Sequence, residues 1–211
     1  MKYIIMCGGS YQFPRHFTQI RGETVVARTI RLLRAEGVED LAISATDPCF
    51  SAFGLPVLKH QNDFKVESGV VVAGSWVNGF YPTLEPACYI FGDVVFSPEA
   101  IRTIVETPEV GIRFFGSAPP FSHLYTKPWA EPFAFKVDDQ RRFRAAVDFV
   151  NANLETGIFH RHPIAWELWQ VIIGHDVNRI DYDTITQIND YTCDIDSPAD
   201  APRIEEMICR S

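Results

Sequence analysis

Three aspartates and one arginine are the residues of this sequence whose types and spacing best suit metal and phosphate chemistry. Asp93 follows the apolar segment 87–91 and a glycine, Asp194 and Asp196 alternate near the C-terminus, and Arg15 follows a paired glycine near the N-terminus. Carboxylate oxygens are ligands for hard cations such as Mg²⁺, and an arginine is a permanent cation. The set predicts a site that holds an anionic ligand through a divalent cation.

Arg15 belongs to a glycine-containing loop between an apolar run and a helical pattern. The apolar residues 3–6 lead into Gly8 and Gly9, and the helical pattern begins at Thr24. A continuous apolar run is typical of a buried parallel strand, and glycine lets backbone N–H groups approach a ligand. A strand, a glycine loop and a helix form an arrangement that cradles phosphate. A plain tight turn is an equally open interpretation of the two glycines.

The apolar run before Asp93 places this carboxylate at the end of a central strand, the edge where ligands bind in open α/β sheets. Asp194 and Asp196 point to one face if their segment is extended, and two such carboxylates repel each other unless a cation lies between them. Asp93 with either of them would complete a metal site. The alternatives are a solvated Asp93 in a turn before the helix that Ser97 caps, and an Asp196 that only helps to cap the final helix.

Composition limits the class of protein. The chain has 211 residues, 46% of them hydrophobic, and a formal net charge of −8. This charge argues against nucleic acid as a partner. No apolar stretch approaches the length that crosses a bilayer, and the N-terminus does not resemble a signal peptide, so no membrane partner is expected. Five cysteines without a C-x-x-C pair favour reduced thiols in the cytoplasm.

Strand and helix patterns alternate along the first half of the chain and become less regular later. Predicted strands lie at residues 3–7, 40–45, 55–59, 87–91, 112–117, 133–137 and 179–182. A predicted helix begins at Thr24 and has Gly37 as its C-cap. Residues 70–80 are predicted as a helix from their spacing, and the valine run at 70–72 leaves a strand open. Further predicted helices lie after Ser97, after Asp138 or Asp139, at 164–173 and after Ser197. The pattern predicts an α/β fold: one domain, residues 1–211, with three α/β/α layers and a mostly parallel mixed sheet.

Two stretches of the second half hold further candidates. Residues 119–132 lack periodicity and are predicted to form a functional loop, in which Lys127, Trp129 and Glu131 could line a substrate pocket. His160 and His162 are interpreted as loop histidines, because no third metal ligand is spaced around them.

Three motifs together resemble the nucleotidyltransferases with a GT-A-like, Rossmann-like fold. This family includes sugar-phosphate nucleotidyltransferases, phosphocholine cytidylyltransferases and molybdenum-cofactor guanylyltransferase-like proteins. The motifs occur in the family's order and span nearly the whole chain. They are residues 3–38 with Gly8-Gly9 and Pro14-Arg15, then Gly92-Asp93-Val94, then Asp194-Ile195-Asp196-Ser197-Pro198 with Asp200.

The resemblance implies a Mg²⁺-dependent transfer of a nucleoside monophosphate from an NTP to a small phosphorylated acceptor, with release of pyrophosphate. The acceptor would be a sugar phosphate, a polyol phosphate or a phosphocholine-like compound. The residues implied in nucleotide binding are Cys7, Gly8, Gly9, Ser10 and Arg15. The residues implied in catalysis are Arg15, Asp93 and Asp196, and those implied in metal binding are Asp93, Asp196 and Asp194.

Two other functions stay open at this point, and so does the oligomeric state, a homodimer included. The glycine loop is shorter than the family's and lacks its second glycine and first arginine, which supports a non-catalytic nucleotide-binding protein on the same fold. A nucleotide-sugar glycosyltransferase would carry a D-x-D motif near Asp93. Asp93 has no such partner, and Asp194-x-Asp196 comes too late in the chain.

Overall fold

A seven-stranded sheet forms the centre of the computed structural model, which describes residues 1–8, 14–60, 64–67, 70–119 and 130–210. In chain order the strands and helices are β1 (Lys2–Met6), β2 (Gln19–Ile20), β3 (Glu23–Thr24), α1 (Val25–Ala35), β4 (Leu41–Ser44), β5 (Val57–Leu58), β6 (Lys65–Glu67), β7 (Val70–Ala73), β8 (Ala87–Phe91), β9 (Val94–Val95), α2 (Pro98–Glu106), β10 (Ile112–Ser117), β11 (Glu131–Val137), α3 (Gln140–Ala152), α4 (Ala165–Ile173), β12 (Thr186–Gln187), β13 (Cys193–Asp194) and α5 (Asp200–Arg210).

The strand order of the central sheet is β12-β10-β11-β8-β1-β4-β5. Strand β1 is parallel to β4 and to β8, β4 is parallel to β5, and β10 is parallel to β12. Strand β11 alone runs antiparallel to both of its neighbours. The predicted α/β class with a mostly parallel mixed sheet is therefore confirmed. The carboxyl ends of β1, β4 and β8 meet at one edge of the sheet.

Two neighbouring residues of β11 show how the helices cover the two faces of the sheet, because successive side chains of a strand point to opposite faces. The Phe135 ring lies 5.6 Å from Phe143 of α3 and 6.3 Å from Trp169 of α4. The buried ammonium of Lys136 instead donates hydrogen bonds to the last carbonyls of α2, Val105 O at 2.9 Å among them. Helix α1 lies beside α2, and α3 lies beside α4.

Side-chain caps fix where three of these helices begin, as predicted. The hydroxyl of Thr24 accepts the Ala27 N–H at 3.2 Å, and that of Ser97 accepts the Ala100 N–H at 2.9 Å. The carboxylate of Asp139 caps α3 in the same way. Such caps satisfy N–H groups that have no partner inside the helix. No helix in the described part of the chain has the length and apolarity needed to cross a membrane.

The predicted helix at residues 70–80 is wrong. Residues Val70–Ala73 form a strand that pairs with β6, and Trp76–Gly79 form a single 3₁₀ turn. Gly74 separates the two with a φ of +72°, a conformation that ends regular structure before a helix can form. Val70 is 63% exposed, so the valine run belongs to an exposed β-hairpin and not to a helix.

Three predicted boundaries also differ from the structure. Residues 179–182 are not a strand. The carboxylate of Asp181 accepts the Asp183 N–H and starts a 3₁₀ turn, and the strand follows as β12. The last helix begins at Asp200, three residues after Ser197. Residues 131 and 132 belong to β11 rather than to the predicted loop, whose residues 120–129 lie outside the described part of the chain.

Candidate functional site

Arg15 lies between two of the predicted metal ligands. Its Nη1 atom is 3.4 Å from Oδ2 of Asp93 and 3.0 Å from Oδ1 of Asp196. The Arg15 and Asp93 side chains are 20% and 22% exposed, and that of Asp196 is 43% exposed. Three residues that are far apart in sequence therefore meet at the carboxyl edge of the sheet, where one cation stands between two carboxylates.

Strand β8 and the residue after it explain the position of Asp93. All five residues of β8 are buried, and the chain then turns through Gly92. A Cβ atom at Gly92 would lie 2.6 Å from Cys7 Sγ and 2.6 Å from Met6 O. Only glycine allows the chain to turn this close to the end of β1. The turn sets the Asp93 carboxylate directly above the central strands.

A short antiparallel ladder brings Asp194 and Asp196 close to Asp93. Strand β13 pairs with β9, and the N–H of Ile195 donates to Asp93 O at 2.9 Å. The N–H of Asp194 donates to Oε2 of Glu131 at 2.9 Å. The N–H of Asp196 donates to Oδ2 of Asp200 at 3.1 Å. Each residue of the segment 194–196 is thus held by its own backbone hydrogen bond.

A small hydrophobic cluster that includes Ile195 packs against the segment 194–196. Ile195 is fully buried between the two aspartates, so the alternation predicted for residues 194–196 is confirmed. The cluster joins α1, α5, β2, β9 and the segment around β13; its buried members are Ile20, Val25, Val95, Tyr191, Cys193, Ile195, Ile204 and Met207.

Arg15, Asp93, Asp194 and Asp196 line one cavity of about 550 Å³. The residues that line the rest of this cavity are Trp76, Phe91, Pro119, Ala130, Pro132, Arg161, Ile164, Trp166 and Tyr182. A smaller cavity of about 50 Å³ adjoins it and shares Asp93, Trp76 and Phe91; its other lining residues are Met6, Gly8, His16, Phe64 and Gly79. A volume of several hundred Å³ is that of a small-molecule site.

Burial favours the uncharged forms of two titratable groups near Asp93, His16 and Cys7. Burial lowers the pKa of His16, although the charge of Asp93 opposes this shift. Burial also raises the pKa of the Cys7 thiol well above its usual value, and the charge of Asp93 adds to the shift. A neutral imidazole and a neutral thiol cannot balance anionic charge. Among the described residues that line the two cavities, Arg15 and Arg161 are the permanent cations.

The structure locates several of the predicted site residues and leaves others outside its described part. Gly8 lines the smaller cavity, and Cys7 is buried beneath it. Glu131 is buried, with its carboxylate on the Asp194 amide. Its predicted role in substrate binding stays a prediction. The predicted residues outside the described ranges are Gly9, Ser10, Lys127 and Trp129.

The carboxylates fit one divalent cation. Among the described residues, no group of three or more His, Cys, Asp or Glu side chains is gathered closely enough to hold a metal. Mg²⁺ in phosphate-binding sites needs only one or two carboxylates besides water and substrate oxygens. Asp93 and Asp196 already converge on a cation, the Arg15 guanidinium. Asp93 and Asp196 could therefore hold one Mg²⁺ between them.

Sequence reasoning missed Trp76, Arg161 and Tyr182 on the walls of the larger cavity. Trp76 lies in the segment whose spacing predicts a helix, and Arg161 stands between His160 and His162. His162 contacts the same segment, because its Nε2 accepts a hydrogen bond from the backbone N–H of Trp76 at 3.3 Å. No local pattern marks these three residues. They meet only when α4 and the segment 75–80 pack against the sheet.

No protein-family model matches the sequence, and no curated protein matches it by sequence either. Solved structures do match. The inositol-1-phosphate CTP transferase from T. maritima aligns with a TM-score of 0.56 at 14% identity, over 99% of this chain and 94% of its own. The CTP:phosphocholine cytidylyltransferase from Streptococcus pneumoniae gives 0.54 at 13%, over 98% of each chain. A putative glucose-1-phosphate thymidylyltransferase from Bacillus anthracis gives 0.59 at 11%, over 97% and 94%.

These structures are nucleotidyltransferases, and the chain has their GT-A-like α/β fold over nearly its whole length. The resemblance that the three sequence motifs indicated is therefore confirmed at the level of the fold. The acceptors named for these proteins differ from one another, so the likeness leaves the substrate of this chain to its own residues.

Proposed function

We propose that the chain is a Mg²⁺-dependent nucleotidyltransferase that moves a nucleoside monophosphate from an NTP to a small phosphorylated acceptor and releases pyrophosphate. The observation that carries this proposal is the meeting of Arg15, Asp93 and Asp196 at the carboxyl edge of the sheet. The proposal treats residues 1–211 as one catalytic domain. The cysteine pattern of the sequence supports a cytoplasmic location.

The chemistry needs alignment and charge neutralisation rather than a general base. An oxygen of the acceptor phosphate attacks the α-phosphorus of the NTP, the bond from that phosphorus to the bridging oxygen breaks, and pyrophosphate leaves with the electron pair. The acceptor phosphate is already largely ionised near neutral pH, because its second pKa is about 6.

The chain's own residues have separate roles in this proposal. Asp93 and Asp196 would hold Mg²⁺, which when bound neutralises charge on the phosphoryl oxygens. Arg15 moves from the carboxylates to the phosphates of the incoming NTP, where its fork suits phosphate oxygens. The backbone around Gly8 borders the smaller cavity and approaches the nucleotide. Glu131 fixes the backbone at Asp194 and so positions the segment that carries Asp196.

The two rival functions make different demands on this site. A glycosyltransferase would bind a nucleotide-sugar through a D-x-D motif beside Asp93, where the sequence has Gly92-Asp93-Val94. A non-catalytic binding protein would not need Asp93 and Asp196 to converge on one cation. The missing D-x-D motif disfavours the glycosyltransferase, and the observed convergence favours the nucleotidyltransferase over the binding protein.

A pyrophosphate assay tests the proposal. Each of the four NTPs is incubated with Mg²⁺ and a panel of phosphorylated acceptors, and pyrophosphate is measured by a coupled enzyme reaction. We expect release that needs one NTP, one acceptor and Mg²⁺ together. Nucleotide binding without pyrophosphate release from any combination would favour the non-catalytic protein. Release of a nucleoside diphosphate from nucleotide-sugars would favour the glycosyltransferase.

A further inference from the structure

Arg161 is the second arginine on the wall of the larger cavity. Its Nε donates to Oε1 of Glu167 at 2.6 Å, and Oε2 of the same carboxylate accepts the Ile164 N–H at 3.0 Å. The Glu167 side chain is 4% exposed, whereas that of Arg161 is 57% exposed. The buried Glu167 carboxylate, which accepts a hydrogen bond at each oxygen, thus holds the Arg161 guanidinium through Nε. The hydrogen bonds of the described residues leave both outer nitrogens of Arg161 for a ligand.

The charges in the cavity indicate what this ligand is. The proposed reaction brings two anions together, a triphosphate and an acceptor phosphate, in a cavity that three aspartates also line. Arg15 is already engaged by Asp93 and Asp196. A second phosphate needs a cation of its own, and the outer edge of a guanidinium binds two phosphate oxygens at once.

The uncharged lining of the cavity is mostly apolar, which limits the rest of the acceptor. Among the described residues it consists of Phe91, Pro119, Ala130, Pro132, Ile164 and the rings of Trp76, Trp166 and Tyr182. Arg161 stands close enough to Tyr182 for its charge to lower the pKa of the phenol, against the larger rise that burial causes.

Apart from the three carboxylates and the two arginines, hydroxyl groups would find few partners among the described lining residues. Among the described lining residues, the uncharged polar side-chain groups are the Tyr182 hydroxyl and the indole N–H groups of Trp76 and Trp166. A sugar or an inositol presents four or five hydroxyls, and each one buried without a partner weakens binding about 5- to 150-fold. Ring faces instead favour alkyl groups and methylated ammonium groups.

We infer that Arg161 binds the acceptor phosphate, and that the acceptor is a hydroxyl-poor phosphomonoester with an alkyl or alkylammonium body. This inference rests on the proposed function and names the class of its second substrate. Glu167 is a positioning residue, since it orients Arg161 without lining the cavity.

Acceptor kinetics of Arg161 variants test the role of the residue. Arg161→Gln should raise the KM for the acceptor about 10- to 150-fold, the effect of losing a charged hydrogen-bond donor, and leave the KM for the NTP unchanged. Arg161→Lys keeps the charge and can still pair with Glu167, so it should give a smaller rise. Arg141→Gln, an exposed arginine of α3, is the matched control. Equal changes in both KM values, or none, would overturn the role of Arg161.

An acceptor panel tests the substrate class. Phosphocholine and phosphoethanolamine are compared with glucose 1-phosphate and inositol 1-phosphate by kcat/KM for pyrophosphate release. The inference expects the first two to be preferred at least tenfold. A preference for the sugar or inositol phosphate would overturn this inference and leave the proposed function standing. Pyrophosphate release with none of the NTPs and acceptors would overturn both.

Discussion

Removal of the Arg15 cation should make the site bind a divalent metal more tightly and a nucleotide more weakly. In the structure the guanidinium stands 3.4 Å from Asp93 and 3.0 Å from Asp196, where it competes with a metal for both carboxylates. Each of these partly exposed ion pairs is worth about 0.2–1 kcal/mol. Loss of both in Arg15→Ala frees about 0.4–2 kcal/mol, which is roughly 2- to 30-fold tighter metal binding without nucleotide.

Titration with Mn²⁺, followed by electron paramagnetic resonance of the free ion, measures this change directly. Nucleotide affinity is measured separately by calorimetry without divalent metal, and it should fall in Arg15→Ala because a phosphate-binding cation is lost. Arg31→Ala is the control, since Arg31 is likewise paired with a carboxylate, that of Glu23. The reasoning is refuted if Arg15→Ala binds Mn²⁺ no better than the wild type, or if both affinities fall together.

Substitutions at three further positions test how the site and the buried interior around it are supported. Glu131→Ala removes the acceptor of the Asp194 N–H and should lower the free energy of unfolding by about 1–3 kcal/mol in a urea titration, whereas Glu131→Gln keeps an oxygen there and should cost less. Gly92→Ala forces a methyl group against the end of β1 and should lower the melting temperature, with a cost of about 1–3 kcal/mol. Burial lowers the pKa of His60, so the folded state resists a proton that the unfolded state accepts below about pH 6.5. Stability should therefore fall as the pH drops below that value. The urea midpoint of unfolding should change less between pH 7.5 and 5.5 in His60→Gln than in the wild type.

The sequence predicted those parts of the fold and site that local patterns encode. Strand β8 is an unbroken apolar run, and Ser97 with Pro98 marks a helix start that needs no tertiary information. The sequence likewise predicted that Asp194 and Asp196 lie on one face and Ile195 on the other, because successive side chains of an extended segment point to opposite faces.

Other parts depend on contacts that no local pattern carries. The spacing of Val72, Trp76 and Phe80 fits a helix. The left-handed Gly74 and the hairpin with β6 decide the conformation instead. Arg161 has no recognisable motif, and its place in the cavity follows from the buried Glu167 of α4. The position of Arg15 between two carboxylates depends on three separate segments that pack at one edge of the sheet.

The measurement that tests the central claim most directly is detection of the transferred nucleotide. Wild type and Asp93→Asn are incubated with Mg²⁺, an NTP labelled with ³²P at the α-phosphate, and phosphocholine or a sugar phosphate, and products are separated by chromatography. The account predicts that the wild type moves the label to the acceptor with one pyrophosphate released per transfer. Asp93→Asn, which keeps the shape of the side chain but loses its charge, should fold normally and transfer no label. Label transfer by Asp93→Asn at the wild-type rate would contradict the account. So would a wild-type protein that binds the NTP but transfers none of its ³²P label to an acceptor.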